Sequence, residues 1–367
     1  MTVEEYVEKA RKDGASDVHL VRGLTPRYRV DGAIREMGGA PLTEADCLEA
    51  ARQLAGSEIR KAEAVGELDM AETISGVRCR VNLFRQQASW SAAIRLLNER
   101  IPDLSELGLP KVVAEFPAYS QGLVLITGET GSGKSTTLAA VLNQINRSEA
   151  KHILTLEDPI EYVYTPEKCV INQREIGRDT QSFASGLRAA LREDPDVILV
   201  GEMRDLETIE TALTAAETGH LVFGTVHTNS AADSIDRIVD VFPAERQQQI
   251  RLQLSMVLKA VLSQQLLPKV GGGRVLACEV MKTDGAIRNL IREGKTPQIA
   301  NSIQTTGAIG NILMDKALNA LLAAGTISRE TFEGALREQT QTGARPAGTR
   351  TAPPTDALRA PGFKRPL

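Results

Sequence analysis

Aromatic residues are scarce: one Trp, five Tyr and seven Phe make up 4% of 367 residues. A basic surplus is missing too, because 43 Lys and Arg face 47 Asp and Glu, for a net charge of −4. A channel that grips single-stranded nucleic acid needs stacking faces and a basic groove, so that class of motor is disfavoured. Only four cysteines occur, Cys47, Cys79, Cys169 and Cys278, far apart and without a CxxC pair. They read as buried thiols in a reducing compartment and exclude a disulfide framework or a zinc ribbon. Apolar runs such as Val197–Val200 fall far short of the ~20 residues of a membrane helix. The acidic start Met1-Thr2-Val3-Glu4-Glu5 lacks the charged-then-apolar layout of a secretory signal. What is present is ordinary for a globular protein: 42% hydrophobic and 25% charged residues, in a length that suits two or three domains.

Residues 1–98 read as a small α/β domain. Val3, Tyr6, Val7 and Ala10 share one helical face. Asp31-Gly32 accepts the positive φ of a tight turn between Arg27–Val30 and Ala33–Met37, which predicts a hairpin. Thr43 and Asp46 form a capping-box start for a helix through about Leu54. Arg78–Phe84 and Trp90–Leu97 alternate like strands. Pro102, Gly108 and Pro110 mark a linker over 99–111.

Residues 112–283 have another rhythm. Leu123–Ile126, Ile153–Leu156, Val197–Val200 and Leu221–Phe223 are apolar on both faces, and helical patterns lie between some of them. One such helix carries Leu206, Ile209, Leu213 and Ala216 on one face, with Asp205 as N-cap and Gly219 past its end. This is the signature of an α/β fold with a buried, mainly parallel sheet. Residues 284–340 are helical only. Residues 341–367 hold five prolines, five Lys/Arg and one Asp, a composition that predicts a disordered basic tail.

The strongest chemical signal is Gly128-Glu129-Thr130-Gly131-Ser132-Gly133-Lys134-Ser135. It follows the apolar run Leu123–Ile126 and precedes the helix-like Thr136–Gln144. In this P-loop pattern, glycines let backbone N–H groups turn toward phosphates. Lys134 offers a mobile charge for the β- and γ-phosphates, and Ser135 a hydroxyl for Mg²⁺. The nucleotide-binding set is therefore Gly128, Thr130, Gly131, Ser132, Gly133, Lys134, Ser135 and Thr136, and the cofactors are ATP and Mg²⁺.

Three other apolar runs end in reactive groups, where parallel sheets place their chemistry. Glu157, Asp158 and Glu161 follow Ile153–Leu156, and each is a candidate to orient an attacking water. Glu202 follows Val197–Val200 and suits Mg²⁺. His220 and His227 flank Leu221–Phe223, either as sensors of a γ-phosphate or as hydrogen-bonded core histidines. Arg78, Arg80, Arg85 and Arg95 are solvated or ion-paired arginines, unless one stabilises charge at a nucleotide held by a neighbouring subunit.

Taken together, these boxes resemble the secretion and type IV pilus ATPase family. The aspartate box is Ile153–Tyr162, the Walker B box Asp196–Asp205, and the histidine box Thr218–Thr228. Ala286-Ile287-Arg288-Asn289-Leu290-Ile291-Arg292-Glu293 is similar to the motif of its retraction members, and Ala15–Leu20 to its N-terminal domain. The likeness runs from about residue 5 to 335. It implies a PAS-like N-terminal domain and a RecA-like ATPase core with C-terminal helices. It implies a homohexamer on the cytoplasmic face of the cell membrane that hydrolyses ATP to drive pilus retraction. Its partners would be the inner-membrane platform protein and a paralogous retraction or assembly ATPase, with no direct nucleic acid and no membrane contact of its own. An accessory subunit with little turnover is the alternative, which the intact motif set disfavours. By motif, Glu161 becomes the water-activating glutamate and Glu202 the group near Mg²⁺. His227 becomes a γ-phosphate contact, Glu157 and His220 join the nucleotide set, and Arg80 and Arg95, ahead of Arg78, reach the nucleotide. Gly294-Lys295-Thr296-Pro297 and the tail depart from the family pattern.

Overall fold

Strand pairing divides the chain into two sheets, each closed by helices that bury their apolar faces on it. The structure is a computed structural model and describes residues 1–97 and 100–342. The expected boundary at 98–99 lies outside the described residues, as does the expected tail 341–367 from residue 343 onward; residues 341–342, expected in that tail, instead end helix Arg329–Thr342.

The first sheet comprises β1 (Asp17–Val21), β2 (Arg27–Val30), β3 (Ala33–Glu36), β4 (Glu67–Ile74), β5 (Val77–Gln86) and β6 (Ser89–Leu96), in the order β3-β2-β1-β6-β5-β4. All its pairings are antiparallel. Helix Val3–Lys12 buries Val3, Tyr6, Val7 and Ala10, and a capping box starts helix Glu44–Ala55 at Thr43. Both helices pack in one core with Val18, Leu20, Val81, Leu83 and Ile94. The β2–β3 turn takes φ of 50° at Asp31 and 80° at Gly32, the backbone that Asp-Gly tolerates best. Period-two alternation sends Cys79 and Val81 inward and leaves Arg80 exposed on the opposite face.

The second sheet comprises β7 (Gly122–Thr127), β8 (His152–Glu157), β9 (Val170–Glu175), β10 (Val197–Val200), β11 (Leu221–Val226), β12 (Leu258–Pro268) and β13 (Arg274–Lys282), ordered β13-β12-β7-β11-β10-β8-β9. Only β12–β13 pair antiparallel; the other five pairings are parallel. Leu123, Leu125, Leu154, Leu156, Ile198 and Val222 face one helical layer, which includes helices Leu206–Glu217, Ala231–Asp240 and Ala244–Val257. Val124, Ile126, Ile153, Val197, Leu199 and Phe223 face the other, built on helix Lys134–Ser148 and the 3₁₀ segment Lys111–Ala118. Burial on both faces is why these strands read as unbroken apolar runs. The α/β class and mainly parallel sheet are as expected from sequence. Helices Gly285–Glu293, Ile299–Thr305, Met314–Ala323 and Arg329–Thr342 follow the sheet.

Candidate nucleotide-binding cleft

β7 delivers the glycine-rich loop at its C-terminal end, and the loop's backbone requires its glycines. Gly128, Gly131 and Gly133 adopt φ of 138°, 82° and 93°, a region that side chains disfavour. At Gly128 space is closed as well. A Cβ there would lie 2.3 Å from the Gln264 carbonyl oxygen and 2.6 Å from Ser132 Oγ. Helix Lys134–Ser148 begins immediately after Gly133, so its N-terminal amides open onto the loop. Lys134 Nζ donates to the carbonyls of Gly128 (2.7 Å) and Glu129 (2.8 Å). Burial pulls its pKa below the usual lysine range, with Glu202, Glu161 and Glu129 opposing that shift.

The loop forms one wall of a cleft of about 610 Å³. Thr130, Gly131, Gly133, Lys134, Ser135 and Thr136 line it beside Glu157, Glu161, Glu202 and His227. The parallel order β7-β11-β10-β8 explains the convergence, because each of these strands ends on the same edge. β10 is not adjacent to β7; β11 lies between them and places His227 between Glu202 and the loop. His227 Nε2 donates to Glu202 Oε1 at 2.8 Å, and Arg204 Nε donates to the same oxygen. Burial and then Lys134 lower the His227 pKa, which favours the neutral ring despite Glu202.

Glu157 sits half-buried beside Glu161 at the end of β8. Thr155 Oγ1 donates to it at 2.7 Å and Gln173 Nε2 at 3.2 Å. Burial still lifts its pKa to about 7. Thr136 Oγ1 and Tyr162 OH lie 3.0 Å apart, tying the start of the loop's helix to the segment that carries Glu161.

The first sheet reaches the cleft through Arg80 and Asp69, which pair at 2.6 Å on its rim. Arg95 does not line this chain's cleft. It stands directly across from Arg80 in the β5–β6 register, and its Nε donates to Asp17 Oδ1 at 2.9 Å on the exposed face. His220 also departs from expectation. It precedes β11 and so occupies the sheet edge opposite the loop, where its Nδ1 donates to the Ala215 carbonyl at 2.9 Å. A nucleotide contact for His220 within its own chain is therefore corrected to a structural hydrogen bond. Arg204, Tyr162 and the polar triplet Ser263-Gln264-Gln265 in β12 are not among the site residues expected from sequence. Thr127 Oγ1 donates to Ser263 Oγ at 2.8 Å, and Gln264 Nε2 donates to Thr137 Oγ1 at 2.8 Å. Three successive polar residues in a buried strand were the available signal.

A lysine held against the glycine-rich loop, a hydroxyl at the helix start and two carboxylates across the cleft suit a phosphate chain and a hard cation. The donor set fits Mg²⁺, which takes one or two protein oxygens and completes its shell with phosphate and water. Among the described residues no cluster of three or more His, Cys, Asp or Glu could hold a metal by itself.

The family model described as Type II/IV secretion system protein matches residues 1–350. The chain is 51% identical over 332 residues to the type IV pilus retraction ATPase PilT of Pseudomonas aeruginosa, covering 90% of this chain and 96% of that one. It is 47% identical over 309 residues to a twitching motility protein of Neisseria gonorrhoeae, with 83% of each chain covered. The crystal structure of the pilus retraction motor PilT with bound ADP superposes with a TM-score of 0.86 at 48% identity, over 91% of this chain and 97% of that one.

Proposed function

The chain belongs to the Type II/IV secretion system protein family, and on that premise we propose that it is an ATP-hydrolysing motor that drives type IV pilus retraction. The observation that carries the chemistry is the convergence of Lys134, Glu161, Glu202 and His227 on one cleft. The 51% identity to a pilus retraction ATPase over nearly its whole length supports the biological task.

Phosphoryl transfer to water depends on positioning and charge stabilisation more than on covalent chemistry. Lys134 and the loop amides hold the β- and γ-phosphates. Ser135 and Glu202 would hold Mg²⁺, which supplies charge neutralisation to the phosphates when bound. Glu161 orients the attacking water and takes up its proton. His227, held neutral, keeps Glu202 in place by donation from Nε2 and presents its ring to the γ-phosphate. Glu157 shares the cleft floor with Glu161.

Arg80 is placed at the rim of its own chain's cleft, and Arg95 on the neighbouring strand with its side chain exposed. We assign Arg95 to a cleft of the next subunit in a homohexameric ring, with Arg80 the closer alternative for the same task. The ring would work at the inner face of the cell membrane, on the platform protein and beside a paralogous ATPase. Among the described residues no helix is long and apolar enough to cross a membrane.

Deleting the gene in its own host, with a Lys134→Ala allele as comparison, tests the task. The prediction is pili that extend but do not shorten in both strains. Normal pilus shortening in the deletion strain would overturn the assignment.

A further inference from the structure

The first sheet makes a second approach to the cleft that is distinct from the rim arginine, at Arg78. Arg78 Nε donates to the backbone carbonyl of Ile160 at 3.0 Å, and its Nη2 donates to Glu175 Oε2 at 3.2 Å. The same Glu175 oxygen accepts the Ile160 amide at 3.1 Å. Both backbone polar groups of Ile160 are thus held by one ion pair, one residue before Glu161. The two side chains are only 14% and 6% exposed, so the pair is shielded from solvent. The partners are 97 residues apart in the chain and belong to different sheets.

We propose that Arg78 is a positioning residue for hydrolysis, clamping Ile160 so that the Glu161 carboxylate stands where it can orient water. This rests on the assignment of Glu161 made above. A planar guanidinium can donate in two directions at fixed geometry; a lysine ammonium in the same place lacks that fork. The clamp therefore couples the seating of the N-terminal sheet on the core to the geometry of the water-orienting group. Unseating the sheet releases Ile160 and with it Glu161.

The same interface supplies a control. Arg178, in the turn after β9, reaches Glu72 Oε1 of β4 from Nη1 at 2.8 Å and the Ala71 carbonyl at 3.4 Å, so it too ties the first sheet to the core, but the ion pair is 46% and 36% exposed and neither residue lines the cleft. Such an exposed pair contributes little. A residue that merely ties the sheets together would be matched by Arg178; one that positions Glu161 would not.

The test compares full-length wild type with Arg78→Ala, Arg78→Lys, Arg178→Ala and the double variant Arg78→Ala/Glu175→Gln, which leaves no lone buried charge. Steady-state ATP turnover, ATP affinity and amide exchange over residues 158–164 are measured for each. We expect Arg78→Ala to lower kcat by about tenfold or more while ATP affinity stays within about twofold, the pattern of a lost transition-state interaction. The double variant should match it, Arg78→Lys should recover part of the loss, and Arg178→Ala should keep most of the wild-type rate. Exchange at Ile160 should quicken about tenfold in Arg78→Ala and stay unchanged in Arg178→Ala. Equal losses in Arg78→Ala and Arg178→Ala, or unchanged Ile160 exchange in Arg78→Ala, would overturn the clamp. A wild type without turnover would refute the motor assignment instead, and amide exchange would still decide whether the clamp exists.

Discussion

Glu157 shows how one side chain's surroundings set its chemistry. Its neighbours Thr155 and Gln173 favour the charged form, yet burial wins and lifts its pKa from 4.5 to about 7. Protonation therefore accompanies folding. The contribution to stability is complete below the unfolded value and is lost as pH rises through about 7. Glu157→Gln, neutral at every pH, should match wild type below about pH 4 and exceed it at pH 8 by about 1–3 kcal/mol in chemical denaturation. Equal stability at pH 8 would show that the carboxylate is better solvated than its position indicates. Lys134 makes the complementary case, because its charge points into the loop that phosphates would enter. Lys134→Ala should lower kcat by about 10²-fold or more, as loss of a charge-stabilising donor does, in a steady-state assay with melting behaviour unchanged. At this scale the sequence was informative for residues at strand ends and less so for the rest. Glu161, Glu202 and His227 follow apolar runs, so their place at the sheet's working edge could be read. His220 precedes its run by one residue and lands on the opposite edge; composition alone does not distinguish the two ends of a strand until the direction of the sheet is known.

At the scale of elements, β7 and its loop act as one unit with β12. The Gln264 carbonyl passes so close to Gly128 that a methyl group would meet it at 2.3 Å. Gly128→Ala should therefore displace β12 or the loop, weaken ATP binding by about tenfold or more, and cost about 1–3 kcal/mol of stability through strain at φ 138°. Titration with a fluorescent ATP analogue checks the first and denaturant unfolding the second. Leu154 in β8 is fully buried, and Leu154→Ala should cost about 3–5 kcal/mol in the same unfolding experiment. The four central parallel strands were legible because burial on both faces leaves only apolar residues in them. β9, with the sequence Val170-Ile171-Asn172-Gln173-Arg174-Glu175, lies at the sheet edge and alternates too weakly to be read. β12 carries Ser263-Gln264-Gln265 inside the core, where Thr127 bonds Ser263 Oγ and Thr137 accepts from Gln264 Nε2, a polar run that sequence patterning would have sent to the surface.

On the scale of the whole molecule, the N-terminal sheet turns its polar face to the core and touches the cleft segment at two arginines. Arg80 reaches the rim and Arg78 the backbone beneath Glu161. Arg80's approach could be expected only from the family resemblance, and the Arg78 contact was not legible at all, because 82 residues separate Arg78 from Ile160 and no local pattern records the meeting. Arg95, on the same face, is left paired to Asp17 and open to the outside. If arginines are exchanged between subunits, hydrolysis depends on assembly, and the cleft of an isolated chain is incomplete.

The most direct test of that account is ATP turnover measured across a range of protein concentrations, for wild type and Glu161→Gln, with mass photometry on the same samples. Turnover per chain should rise as a hexamer population appears, and Glu161→Gln should bind ATP and assemble yet turn over at least ~10²-fold more slowly. Turnover that is independent of assembly, or unchanged in Glu161→Gln, would contradict it.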